Sequence, residues 1–222
     1  MTPDPATDLR QMTALGRAIE DESFAVVDRE AWPHDFDRPA WEVVRRVIHA
    51  TADFEYKHLV RFSPDALASG VAALRKGGAP VIADVKMITV GLNAARLATF
   101  GATPHTFIDD EDVIAAAKAE GTTRAVMAMR EAHRRGLLDG AIVAIGNAPT
   151  ALLEVLRLHR AEGVRPALVL GMPVGFVNAA ESKEELLASG LPHIVTRGRK
   201  GGSTVTVAAL HAVLHVATGD LR

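Results

Sequence analysis

The spacing of apolar residues changes along the chain, and the change predicts the fold. Over residues 9–29, Leu15, Ile19, Val26 and Val27 recur near helical spacing, which predicts an amphipathic helix. Trp32-Pro33-His34-Asp35 breaks it. A second helix is expected over residues 39–51, with Trp41, Val44, Val47 and Ile48 on one apolar face. Ser63-Pro64-Asp65 reads as a helix start, Ser as the cap and Pro in the first turn, and Gly77-Gly78 as its end. Beyond that point short continuous apolar runs appear at residues 80–84, 106–108, 141–145, 167–170 and 193–196. Helical stretches separate them, at residues 86–97, 110–119 (capped by Asp109), 122–135, 149–160 and 181–188, with a last helix after Ser203. Short apolar strands alternating with helices predict an α/β fold: a single Rossmann-like, doubly wound domain with a mainly parallel sheet and helices on both faces. The 222 residues suffice for one such domain, and residues 1–8 are expected to fray.

Ligands of such sheets bind beyond the carboxyl ends of the strands. Three stretches fall there. Gly146-Asn147-Ala148-Pro149-Thr150 opens a helix and aims backbone N–H groups at whatever lies in front of it, which suits a carboxylate or phosphate. An ordinary strand-to-helix turn explains the same residues. Gly171-Met172-Pro173-Val174-Gly175-Phe176 lets a large flat ligand approach, or simply packs as a loop. Arg197-Gly198-Arg199-Lys200-Gly201-Gly202-Ser203 interleaves three cations with glycines before a helix, which makes either an anion site or a solvated basic loop.

Composition narrows the chemistry. There is no cysteine, so disulfides, thiol nucleophiles and Cys-based metal or iron–sulfur sites are excluded. The formal net charge of -2 provides no global field for nucleic acid, so an anionic ligand needs locally placed cations. No apolar run approaches the ~20 residues of a membrane span. The polar first ten residues lack a signal-peptide core, and a soluble cytoplasmic protein is expected. No G-x-G-x-x-G, Walker A, H-E-x-x-H or G-x-S-x-G motif is present, and the nine histidines show no metal-ligand spacing. His49, near the end of the second helix, is of the residue type best suited to proton transfer near neutrality, although a lone histidine at a helix C-terminus is more often structural.

One family shares these segments in order. Ser23-Phe24, Val44-Arg45-Arg46-Val47-Ile48-His49-Ala50, Arg61-Phe62-Ser63-Pro64, Ala83-Asp84-Val85-Lys86-Met87, Gly121-Thr122-Thr123-Arg124, the Ala144–Leu152 stretch, Gly171 to Val177, Ala179 to Lys183 and the Arg197–Ser203 loop together resemble the precorrin-8X methylmutases. The match runs from about residue 20 to about residue 209. The resemblance implies an isomerase of cobalamin synthesis that moves a methyl group from C-11 to C-12 of a corrin precursor, without cofactor or bound metal. It implies His49 as proton donor and acceptor, replacing the structural reading of that residue, and Ser23, Arg46 and Arg124 as substrate contacts. Gly146, Asn147, Thr150, Arg197, Arg199 and Lys200 are expected to meet the acid arms of the macrocycle. A homodimer with the cleft near its interface is implied, with no nucleic acid and no membrane. The run Ala52-Asp53-Phe54-Glu55-Tyr56 looks more like the cobalt-dependent members. Two rivals remain: a non-catalytic corrinoid carrier on the same scaffold, and a nucleotide- or phosphate-binding enzyme using the basic loop.

Overall fold

The computed structural model describes residues 13–219, so the helix start expected at residue 9 and the fraying expected of residues 1–8 lie outside the described residues. Six strands form one sheet: β1 (Val60–Phe62), β2 (Pro80–Ala83), β3 (Thr103–His105), β4 (Ile142–Ile145), β5 (Leu168–Gly171) and β6 (His193–Thr196), in the order β1-β6-β5-β4-β2-β3. Every pairing is parallel except that of β1 with β6, so the expected doubly wound, mainly parallel sheet is present.

Alternation along the strands sends side chains to two cores. Val81, Ala83, Ile142, Ala144, Leu168, Leu170 and Ile194 face one core. Helices α1 (Ala14–Glu30), α2 (Arg38–Thr51), α3 (Tyr56–Leu59), α4 (Ala66–Lys76), α5 (Lys86–Gly91), α6 (Ala94–Thr99) and α11 (Ser203–Thr218) pack there. Ile82, Val143, Ile145, Val169 and Val195 face the other, under α7 (Glu111–Glu120), α8 (Arg124–Arg134), α9 (Pro149–Glu162) and α10 (Ala179–Leu187). Of these helices α11 is the most enclosed, with Val205, Ala209, Leu210, Ala212, Val213 and Leu214 all buried. Among the described residues no helix is long and apolar enough to cross a membrane.

Four local expectations need correction. The third strand lies at Thr103–His105 rather than at 106–108, because its register with β2 pairs Thr103 with Pro80 and His105 with Ile82. The apolar signal at 106–108 comes from Phe107, which leaves the strand to enter the second core beneath the Arg135 guanidinium. Residues 86–97 break into α5 and α6, because Leu92 is extended and the Asn93 side chain caps α6 by accepting from the Arg96 N–H. The helix expected to start at Ser63 begins at Ala66; Ser63 instead donates to Asp65 and accepts from the His193 N–H, tying β1 to β6. Strand β1 was not anticipated: three residues of mixed exposure carry too little pattern to read.

The chain leaves β2 for β3 on one side and returns to β4 on the other, so a crevice opens beyond the carboxyl ends of β2 and β4. Gly146, the first residue past β4, meets α11 there. A Cβ on it would lie 2.8 Å from Thr206 Oγ1 and 2.9 Å from Ser203 Cα. Gly146→Ala is therefore expected to cost about 1–3 kcal/mol through overpacking. Urea denaturation checks this: an unchanged midpoint would mean that α11 can back away from β4.

Candidate active site

On α2, Glu42, Arg45, Arg46 and His49 follow helical i, i+3, i+4, i+7 spacing, so one stripe carries all four. Glu42 is its buried centre, 4% exposed. One oxygen accepts from Arg45 Nε at 2.7 Å. The other accepts from Arg46 Nη2 at 3.1 Å and meets His215 Nδ1 of α11 at 2.9 Å. Burial pushes the Glu42 pKa up, but the hydrogen bond from His215 and the charges of Arg45, Arg46 and His215 outweigh it and hold it at about 2. A turn further along, His211 of α11 accepts the Asn93 N–H through Nε2. Burial, with the charges of Arg96 and Arg46, lowers its pKa to about 4, so it is neutral at neutral pH.

His49 stands exposed at the end of this stripe and stacks on Phe24 of α1, with ring centroids 4.6 Å apart and planes at 21°. The guanidinium carbons of Arg45 and Arg46 lie 4.7 Å and 5.1 Å from the centre of the same ring. Phe24 is buried and gathers three of the stripe's side chains at one place. Ser23, its neighbour, donates to the Ile19 carbonyl. Of the sequence-derived set, the structure thus brings together Arg46 and His49 on Phe24, with Ser23 next to that ring in the chain.

The others gather along the carboxyl ends of the strands. Gly146 and Asn147 do not offer free amides as expected. Asp84, fully buried at the end of β2, takes the N–H groups of Gly146, Asn147 and Ala148 at 3.0, 2.8 and 2.6 Å. All three donors precede α9, which starts at Pro149 and has no side-chain cap of its own, so Asp84 fixes the turn that leads into that helix. Burial pushes the Asp84 pKa up, while the three N–H groups pull it the other way. Thr150 shares a hydrogen bond with Thr123 at 3.0 Å, which places Arg124, the next residue, beside the start of α9. Arg124 is half-exposed and lies 3.9 Å from Asp109, which also pairs with Lys86.

The basic loop is also more committed than expected. Arg197 bonds Glu184 at 2.9 Å. Lys200 bonds Asp53 at 2.5 Å and Glu55 at 2.7 Å. Those two hydrogen bonds raise the Lys200 pKa and, in return, the Lys200 bond lowers that of Asp53. Arg199 lies 5.6 Å from the Phe176 ring centre and has no carboxylate partner among the described residues. Beneath the loop Lys183 is fully buried and donates to the Gly198 and Lys200 carbonyls at 2.8 and 2.7 Å. Burial without a counter-ion lowers its pKa to about 8.

A family model described as precorrin-8X methylmutase matches residues 18–216. The chain belongs to the precorrin-8X methylmutase family. It is similar to the cobalt-precorrin-8 methylmutase of Leptospira interrogans, at 52% identity over 93% of this chain and 96% of that one. It is also similar to the cobalt-precorrin-8 methylmutase of Priestia megaterium, at 48% over 95% and 92%. The crystal structure of the precorrin-8X methylmutase of Thermus thermophilus superposes with a TM-score of 0.86, at 51% identity over 93% of this chain and all of that one.

In this member of the precorrin-8X methylmutase family, sequence reasoning missed Glu42, Phe24, Asp84 and Lys183 as organisers. Asp84 and Lys183 stood within matching segments, but nothing local marked them as buried. The Glu42 carboxyl sits below its ordinary value of 4.5, so its contribution to stability is present above that pH and is lost as pH falls from 4.5 towards about 2. Glu42→Gln is expected to lose roughly 3 kcal/mol at neutral pH. Urea titrations at several pH values should show the gap between wild type and variant closing over that window.

Proposed function

We propose that this chain moves the methyl group of precorrin-8X, or of its cobalt form, from C-11 to C-12, with His49 as the proton donor. Family membership carries the class of reaction, an isomerisation in cobalamin synthesis. The observation that favours His49 is its placement: an exposed imidazole held flat on Phe24 at the end of a stripe whose other polar members are bound to one buried carboxylate. The methyl leaves one ring carbon and bonds to the next within a single molecule. No electrons are exchanged with a second reactant, and no cofactor chemistry is needed. Protonation of the macrocycle by His49 drains electron density from the ring and lowers the barrier to migration. Such general acid catalysis contributes ~10²–10⁴-fold, and the remainder comes from holding the ring in a reactive shape.

The same reading gives the other residues substrate roles. Ser23 and Arg46 border the imidazole. Arg124, Arg197, Arg199 and Lys200 meet acid arms, and Gly146, Asn147 and Thr150 line the crevice floor with their turn held by Asp84. A homodimer belongs to this reading. Its support is the family resemblance and the exposed apolar side chains Leu15 and Ile19 of α1 and Met87 and Val90 of α5, which a second copy would cover. A cytoplasmic location fits an enzyme of this class.

The test is conversion. Purified protein mixed with precorrin-8X and no added cofactor is expected to give the visible spectrum of hydrogenobyrinic acid; cobalt-precorrin-8 under anaerobic conditions is the second substrate. His49→Ala is expected to bind product normally and to lose at least a hundredfold in kcat. Near-normal turnover in that variant would remove His49 from the chemistry. Product binding without turnover in wild type would make the chain a corrinoid carrier.

A further inference from the structure

We infer that the N-terminus of α11 is a carboxylate subsite, formed by the Ser203 hydroxyl with the backbone N–H groups of Ser203 and Thr204, and that it takes one acid arm of the ligand. The inference rests on the corrin reading above and specifies which donors meet an arm.

Two long helices begin at the crevice, α9 and α11, and each presents N–H groups that its own turns leave unpaired. At α9 the turn that leads into the helix is held by the chain itself, Asp84 taking the Gly146, Asn147 and Ala148 N–H groups just ahead of Pro149. That arrangement shows how consecutive backbone N–H groups hold a carboxylate at the entrance to a helix in this protein. The first turn of α11 has no such partner. Its cap is Gly202, which offers no side chain, and no acidic residue stands in that turn. Among the described residues nothing accepts from the N–H groups of Ser203 or Thr204.

The second observation is independent of the helix. The Ser203 side chain is buried, 7% exposed, and its Oγ has no hydrogen-bond partner among the described residues. A buried hydroxyl left unpaired costs about 1–3 kcal/mol, so a partner from outside the chain is the economical explanation. The surroundings suit an anion. Arg199, the loop cation without a carboxylate partner, precedes the helix by four residues. Exposed Thr204 borders the position, beside half-buried Gly201 and Gly202. Gly201 has no room for a side chain, since a Cβ would lie 2.2 Å from the Met172 carbonyl oxygen. The loop that packs there carries exposed Val174, Phe176 and Val177, an apolar rim for a ring whose arm points inward.

The subsite also lies within reach of His49. Helices α2 and α11 run antiparallel, with Glu42 against His215 and the Arg46 charge acting on His211. His49 therefore stands near residue 208, roughly 8 Å along the axis from Ser203 at 1.5 Å per residue. A peripheral arm of a macrocycle protonated at His49 spans that distance.

The test uses Ser203→Ala and Thr204→Asp. The first deletes the hydroxyl. The second places a negative charge over the helix start at an exposed position where Asp is favourable to the helix. Titration with hydrogenobyrinic acid is expected to show Kd raised about tenfold in each variant, the loss of one charge-assisted hydrogen bond. The melting temperature of Thr204→Asp should be unchanged or higher. Wild-type affinity in both variants overturns the subsite and leaves the methylmutase reading standing. If wild type binds no corrin, the methylmutase reading fails, and propionate then tests the subsite alone. Propionate-dependent shifts of the Ser203 and Thr204 amide resonances that vanish in Thr204→Asp support it; their absence overturns it.

Discussion

Glu42 is a buried carboxylate whose two oxygens serve three basic side chains, and the working face is built around that arrangement. The cost of burying it is offset only because Arg45, Arg46 and His215 all reach it. His215 stands on α11 and the two arginines on α2, so satisfying this charge fixes the register of those helices. Phe24 then fits under the guanidiniums, bringing α1 into place, and His49 lies on the same ring. The orientation of an exposed imidazole thus depends on a carboxylate two turns away that never meets solvent.

Asp84 does the corresponding work on the sheet. An open parallel sheet has its crevice where the strand order reverses, and a helix start there attracts any anion. Here the attraction is used internally. Asp84 binds the turn after β4 to the end of β2 and so fixes where α9 begins. A motif that reads as an anion site in sequence becomes a structural joint, because the competing anion is supplied by the chain.

The fold was legible because its information is local. Residues 141–145 and 167–170 are apolar throughout, as expected of strands covered on both faces. Thr103–His105 was misplaced because register is set by the neighbouring strand, not by its own residues. The site was legible only in outline. Residue type marked His49, and resemblance to a family assigned its role. Glu42 and His215 are separated by 173 positions. Asp84 lies 62 to 64 positions from its donors. Lys183 reads as a surface lysine on an amphipathic helix until its two carbonyl partners are seen. Hydrogen bonds between distant segments leave no periodicity, so these organisers were invisible.

The same distinction sorts the cations. Arg197 and Lys200 carry acidic partners, but in pairs open to water, where attraction is screened and side chains are free to exchange partners. A ligand carboxylate can replace Glu184 or Asp53 there at little cost. Arg46 differs: besides Glu20 at 4.0 Å it pairs with Glu42, which is 4% exposed, and pulling it away would strand that buried charge. Arg46 is therefore held rigidly in place, whereas the basic loop is a set of exchangeable contacts anchored from below by Lys183. The proposed corrin ligand, with several acid arms, would use both: rigid groups beside the imidazole, and adjustable ones at the periphery, where arms of different length must be matched.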